Sequence, residues 1–371
     1  MQPPERRVWG RGASLRRRSR QPVMKDGFMA DAALPSRASA AKVTLREIAE
    51  EAGVAISTAS RALSGAPGIS AVVRARVQSA AEQLNYAGST AASTTFTIVS
   101  NLNVMEVGAG DFVQGLMRGI ESECRELGIS LSLSLLGPGR PAALGGEGAA
   151  PDGYLLLSMQ DETVIEHLLR RRIPGVIVNG REPTMRLDAV APANRAGGYL
   201  AARHLLDLGH ERILALTYSP RPTIRDRQVG YIEALREAGV AIADDLVVEL
   251  AAMRTDVAYA AVKARLERPA GRGFTAIQCC NDASAFGAMT AVFEAGLRVP
   301  HDISIVGFDD IPTAAMTSCP LSTVRVDCDG LGASGVRRLA ERIKHRDALT
   351  TYTEYAVQLV ARESTGPVSS A

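Results

Sequence analysis

The 371-residue sequence predicts a small all-α headpiece followed by an α/β core of two doubly wound subdomains. Three observations carry that expectation. Between residues 43 and 84 three apolar stripes follow one another with the 3.6-residue period of helices. From residue 97 onward short apolar runs alternate with helical patterns, as in a parallel sheet wrapped by helices. The roughly 275 residues left for that part are generous for one sheet, so two similar subdomains around a cleft are expected.

In VTLREIAEEAGVAISTASRALSG, residues 43 to 65, Leu45, Ile48, Ala49 and Ala52 share one helical face. Thr44 caps that helix and Glu47 completes an S/T-x-x-E box. Gly53 ends it by taking the left-handed conformation. In the next helix Ala59, Ala62 and Leu63 face inward with Val54 leading in, while Ser57, Thr58, Ser60 and Arg61 face outward. A third helix runs from Ser70, its cap, to about Leu84, with Val73, Val77, Ala80, Ala81 and Leu84 as its stripe and Arg74 and Arg76 near the exposed side. Two short helices joined by a Gly turn and sealed by small residues make a helix-turn-helix. Short hydroxyls and a guanidinium suit a DNA groove, because they reach phosphates and base edges. A generic three-helix bundle shares the same stripes.

In the larger part, FTIVSNL, ISLSLSLL, GYLLLS, GVIVN, RILALT, TAIQCC and ISIVGF read as buried parallel strands. FVQGLMRGIESECREL, AGGYLAARHLLDL, RDRQVGYIEALREAG and SAFGAMTAVFEAG read as the helices between them.

Composition bounds the function classes. The five cysteines (Cys124, Cys279, Cys280, Cys319, Cys328) are odd in number and lack C-x-x-C spacing, against a disulfide framework or zinc site and for a cytoplasmic setting. No run approaches the ~18 apolar residues of a membrane span. The arginines of residues 1 to 30 precede no apolar signal core, so neither export nor a membrane partner is expected. Charge is uneven: residues 1 to 96 carry 14 Lys+Arg against 7 Asp+Glu, and the remainder 28 against 33, which points the N-terminal end at nucleic acid. Nine of those fourteen cations lie in residues 1 to 40, around RRVWGRG and LRRRSRQ, in a stretch without apolar periodicity that reads as a disordered basic tail. It is either an electrostatic DNA-binding arm or the product of a start codon placed ahead of Met24 or Met29.

V-T-L-x-x-I-A-x-x-A-G-V-x-x-x-T-x-S-R-x-L, followed by I-S, R-x-R-V and L-N-Y up to residue 86, resembles the headpiece of the lactose-repressor family of bacterial transcription regulators. The likeness continues in L-x-x-L-G-H-x-R-I (205 to 213), R-x-x-G-Y-x-x-A-L-x-x-x-G (227 to 239), C-N-D-x-x-A-x-G (280 to 287), V-P-x-D-I-S-I-V-G-F-D-D (299 to 310) and P-L-S-T-V (320 to 324). The resemblance implies a periplasmic-binding-protein-like core with an effector cleft between two lobes. It assigns Ile56 and Ser57 to base discrimination, Arg61 to the family's helix arginine, Thr44, Leu45, Thr58 and Ser60 to phosphate or groove-lining positions, and Tyr86 to the tyrosine after the third helix. Ser70 joins them as a DNA-binding candidate. By the same resemblance Arg227, Asn281 and Asp309 are effector contacts, with Asn194, Ser100 and Asp111 as further candidates. Carboxylate, amide and guanidinium at strand ends suit a sugar or polyol. The blander account of the same residues is a loop capped by Asp309 and Asp310, with Arg227 paired to Asp226 or Glu233.

Three departures stand out. Ala55 replaces the family's Ser, forgoing a helix cap of about 1 kcal/mol unless Ser57 substitutes for it. Residues 87 to 96, AGSTAASTTF, lack the hinge-helix Arg and wedge Leu and read as a linker. GPGRPAALGGEGAAP (137 to 151) replaces a crossover helix with a glycine-rich loop.

The expected organisation is a tail (1–40), a DNA-binding domain (41–86), a hinge (87–96), an effector-binding and dimerisation domain (97–363) and a disordered end (364–371). The function this implies is a sequence-specific DNA-binding regulator, a repressor, whose affinity for a pseudo-palindromic double-stranded operator is set by a small hydroxylated effector, acting as a homodimer without cofactor or metal. No phosphate loop, H-E-x-x-H or G-x-S-x-G supports an enzyme, and His204 and His210 read as packing residues. An effector-independent regulator with a degenerate cleft and a sugar-binding protein are the alternatives.

Overall fold

Thr44 opens the headpiece in extended conformation. Its hydroxyl accepts from Glu47 N at 3.4 Å while the Glu47 carboxylate accepts from Thr44 N at 2.5 Å, a complete capping box at the start of α1 (Leu45–Glu51). The helix stops at Gly53, φ +61°, where Gly53 N donates to Glu50 O and Val54 N to Ala49 O, the paired bonds of a Schellman ending. α2 (Ile56–Leu63) follows, then α3 (Ala71–Gln83), whose cap Ser70 accepts from Val73 N. The buried headpiece core is Ile48, Ala49, Ala52, Ala59, Ala62, Val77, Ala80 and Ala81. Six of these eight are alanine, so the helix axes come close and a short segment seals its own core.

The computed structural model describes residues 43–63, 68–84, 94–101, 110–137, 144, 150–159, 161–268 and 273–369. The chain divides into two compact units, 1–88 and 89–371.

Within the second unit the N-lobe is built on β1 (Thr95–Asn101), β2 (Ser130–Leu136), β3 (Gly153–Leu157), β4 (Gly175–Val178), β5 (Asp188–Pro192) and β11 (Tyr352–Tyr355). They lie in the order β11-β5-β4-β3-β1-β2, all parallel. Alternate strand residues pack on opposite faces. Ile98, Leu155 and Val176 meet α4 (Gly110–Leu127) and α10 (Cys328–Lys344), while Val99, Leu156 and Ile177 meet α5 (Glu162–Arg171).

The C-lobe is built on β6 (Ile213–Thr217), β7 (Val247–Glu249), β8 (Ala276–Gln278) and β9 (Ser304–Val306), parallel in the order β7-β6-β8-β9. α6 (Asn194–Asp207) packs with α7 (Pro222–Glu237), and α8 (Thr255–Leu266) with α9 (Asp282–Glu294). β10 (Thr323–Arg325) pairs antiparallel with β12 (Gln358–Val360). The chain passes between lobes three times, after β5, after β10 and after β11. Among the described residues no helix is long and apolar enough to cross a membrane.

Three expectations need correction. The run at 129–136, expected as a buried strand, is the edge strand β2, with Leu133 and Leu135 46% and 41% exposed, because it has a partner on one side only. Residues 364–369, expected as a disordered end, are fastened to the C-lobe. Ser364 is fully buried and its hydroxyl donates to Ile305 O, His204 bonds Thr365, His210 bonds Gly366 O, and Val368 N donates to Leu208 O. β1 starts at Thr95, two residues inside the expected hinge. The tail 1–40, Tyr86, hinge residues 87–93 and most of the stretch 137–151 lie outside the described residues.

Candidate nucleic-acid interface and effector cleft

In the headpiece, Ala59 N donates to Ala55 O at 2.9 Å, which makes Ala55 the cap position of α2 and leaves Ser57 inside its first turn. Ser57 therefore does not stand in for the missing cap: its backbone is already helical, whereas a cap residue is extended. Opposite the buried Ala59 and Ala62, the helix presents Ile56, Ser57, Ser60 and Arg61, with Ile56 49% exposed. Thr58 is half-buried, and Leu45 packs against the headpiece core. Thr44 and Ser70 are exposed and serve as caps.

The second candidate site forms where the carboxyl ends of the two parallel sheets face each other. Arg227 stands on α7 three residues before Gly230. A β-carbon on Gly230 would collide with the Arg195 carbonyl of α6, and one on Gly198 with the Arg227 carbonyl, so these glycines let the two helices close up. That approach aims the Arg227 side chain inward. Its Nε donates to Asn194 Oδ1 (2.9 Å), Nη1 to Cys280 O (2.5 Å) and Nη2 to Asp309 Oδ1 (3.5 Å), and its guanidinium lies over the Phe308 ring at 3.5 Å. The surface pairing expected of Arg227 is not formed: Asp226 pairs with Arg181 and Glu233 with Arg195.

Asp309 and Asp310 follow β9 with φ of +120° and +55°, a region disfavoured for side-chain-bearing residues at about 1–3 kcal/mol each. The surroundings enforce it. Asp310 accepts from Arg325 Nε and Arg362 Nη2, each at 2.6 Å, and fully buried Asp282 accepts from Ile311 N and Thr323 Oγ1. Asp309 Oδ2 takes no hydrogen bond among the described residues and remains open to an incoming donor. Burial pushes the Asp309 carboxyl up to about 6, against the pull of Arg227 and Arg221. Burial and the Asp309 charge hold Asp282 well above the usual carboxylate range. Arg221, half-buried ahead of α7, is drawn down to about 10 by burial and by Arg227, and its side chain makes no hydrogen bond among the described residues.

The N-lobe contributes two residues that sequence reasoning missed. Ser158 and Asn179 directly follow β3 and β4 with φ of +54° and +60°. Asn179 Nδ2 donates to Ser158 Oγ at 2.8 Å, while Asn179 Oδ1 is buried without a hydrogen-bond partner. An unpaired buried acceptor costs about 1–3 kcal/mol, a cost that a ligand hydroxyl would remove. Arg181, two residues on, reaches Asp226, next to Arg227, so the two strand ends share one cleft. Asp111, on α4 of the N-lobe, accepts from Thr313 Oγ1 at 3.3 Å.

Three predicted contacts are placed otherwise. Ser100 is fully buried and donates to Leu157 O within the sheet, too deep to meet a ligand. Asn194 is 1% exposed, donating to Pro192 O while accepting from Arg227, so it positions Arg227. Asn281 caps α9, accepting from Ser284 N and donating to Met253 O, which engages both ends of its amide inside its own lobe.

Residues 44–89 match the family described as bacterial regulatory proteins, lacI family, and residues 202–365 match the periplasmic binding protein-like domain. The HTH-type transcriptional repressor PurR of Photobacterium profundum is 28% identical over 338 residues, covering 86% of this chain and 98% of the relative. A solved complex of the transcriptional regulator CelR with cellobiose is 28% identical with a TM-score of 0.68, over 87% of this chain and 99% of that one. The lac repressor dimer bound to operator and the anti-inducer ONPF is 25% identical with a TM-score of 0.66, over the same shares of the two chains.

Proposed function

The chain belongs to the lacI family of bacterial regulatory proteins, DNA-binding regulators of transcription, and on that premise we propose that it is a repressor whose operator affinity is set by a small hydroxylated effector held in the cleft of the core. The observation that carries the effector reading is the open Asp309 Oδ2 beside Arg227 and Arg221, in a cleft whose other wall holds the unpaired Asn179 Oδ1. A carboxylate and an amide oxygen accept from hydroxyls and a guanidinium donates to them, the donor and acceptor set of a sugar or polyol. The cellobiose complex of a structural neighbour supports the same ligand class.

The DNA reading rests on the exposed face of α2, with Ile56, Ser57, Ser60 and Arg61 as base- or phosphate-facing groups. A headpiece this small buries too little surface for high specificity alone, so two copies on a pseudo-palindromic site are the working form. Leu133 and Leu135 on edge strand β2, 46% and 41% exposed, and Leu127 at the end of α4, 49% exposed, support pairing of two cores there.

The test is titration of the purified protein with a library of mono- and disaccharides while operator binding is followed. One or more sugars should change operator affinity, and Arg227→Ala and Asp309→Ala should abolish that response while leaving DNA binding intact. If both variants respond as the wild type does, the site assignment is wrong. If no sugar acts, the effector-independent reading takes over, favoured by the inward engagement of Asn194 and Asn281.

A further inference from the structure

Away from the cleft, the amino-terminal ends of β4 and β5 open into a concavity of about 600 Å³, within the size range of small-molecule sites. Its walls are of two kinds. Leu169 and Ile173, partly exposed over the buried Leu168 and Leu187, form an apolar side, and Arg172, Arg186, Arg342 and Arg346 a cationic one. Two of these guanidinium groups are spent. Arg342 grips fully buried Asp188 at 2.6 and 3.0 Å, and Arg186 bridges Glu162 and Glu182. Arg172 and Arg346 are exposed, and their side chains enter no ion pair or hydrogen bond among the described residues. Asp347 on the rim offsets only part of this charge.

A second observation concerns the backbone. Arg172 is the first residue past α5 and has φ +53°, the left-handed conformation in which helix ends favour glycine. Helix termination does not call for arginine there, because Arg170 and Arg171 already bring positive charge to the last turn. A strained position that keeps a long cation facing a concavity is the pattern of a binding residue held at some cost in stability.

We propose that this concavity is a second ligand site, separate from the cleft, for a small anion with an apolar body. Arg172 and Arg346 take the anionic group, and the partly exposed Leu169 and Ile173 take the body. The probe is phenyl phosphate, titrated calorimetrically into the full-length protein with inorganic phosphate and neutral benzyl alcohol as comparators. Phenyl phosphate should bind at least about ten-fold more tightly than either comparator at this site, and Arg346→Ala and Arg172→Gly should each weaken it by about ten-fold, the worth of one charge-assisted hydrogen bond. Arg172→Gly should also unfold at the same temperature or higher, since glycine relieves the left-handed backbone, which separates lost binding from lost structure. The cleft variant Asp309→Asn should bind phenyl phosphate as the wild type does. No binding at millimolar probe, equal binding of inorganic phosphate, indifference to both arginine variants, or loss in Asp309→Asn would each overturn the proposal.

Discussion

Arg181 of the N-lobe and Asp226 of the C-lobe are joined by two parallel hydrogen bonds, Nε to Oδ2 at 3.0 Å and Nη2 to Oδ1 at 2.8 Å. A bidentate pair fixes orientation as well as distance, and this one adjoins Arg227 on one side of the cleft and Asn179 on the other. With the side chains 39% and 21% exposed, the pair is partly solvated and is worth about 1 kcal/mol. A double-mutant cycle with Arg181→Ala and Asp226→Ala on urea unfolding of the full chain should give a coupling of that size. A coupling of zero would mean that the contact does not hold the lobes together.

The Asp309 carboxyl, raised to about 6 from its ordinary 3.8, makes stability depend on pH and, through the proposed contact, should make effector binding do so with the opposite sign. Between those two values the folded state holds the proton more tightly than the unfolded state. The stabilisation is complete below about pH 4 and is lost as pH rises through about 6. Asp309→Asn should therefore flatten the decline in unfolding temperature across that window. Binding runs the other way, because the ionised carboxylate is the better acceptor for hydroxyls. Its ionised share rises as pH passes through about 6, so effector affinity should rise across that window. Titrations at pH 5, 6 and 7 that give one affinity would remove Asp309 from the contact set.

What the sequence revealed and what it hid follow from how local each signal is. The headpiece helices carry their stripes, caps and stop within a few residues, and Thr44, Gly53 and Ser70 act where their types imply. α10 was not legible, because Gly330, Gly332 and Gly335 give it poor helix propensity; a β-carbon on Gly332 would strike the Leu116 carbonyl of α4, so packing overrides propensity. β5 opens on a charged residue and ends on proline, and Asp188 can be buried because Arg342, 154 residues away, and Arg338 neutralise it while Thr351 N donates to it. At the cleft, Arg227 and Asp309 stand in recognisable motifs, whereas Ser158 and Asn179 read as the last letters of apolar runs. Arg181 finds its partner 45 residues on, a separation that no local pattern reports.

Ala55 leaves the start of α2 without a side-chain acceptor, although its carbonyl already closes the first helical bond to Ala59 N. Ala55→Ser supplies an oxygen within reach of an amide of the first turn and should stabilise the headpiece by about 1 kcal/mol. Amide hydrogen exchange of α2 in the full-length protein is the direct measurement. Protection unchanged or reduced in the variant would show that another group already satisfies that helix end.

Ile56 is half exposed on a face otherwise made of hydroxyls and a guanidinium, in a headpiece that buries nearly every other large apolar side chain at least in part. With no hydrogen-bonding atom, Ile56 could contribute to sequence reading only through apolar contact, for which a thymine methyl is the matching group in the major groove. Ile56→Ala should cost on the order of 1 kcal/mol of operator affinity and relax preference at one base pair. Arg61→Ala, if the contact is to phosphate, should instead weaken all sequences alike and reduce the salt dependence. Selection from a randomised operator library with wild type and Ile56→Ala distinguishes these roles. Identical base preferences at every position would take Ile56 off the reading face and leave direct readout to Ser57.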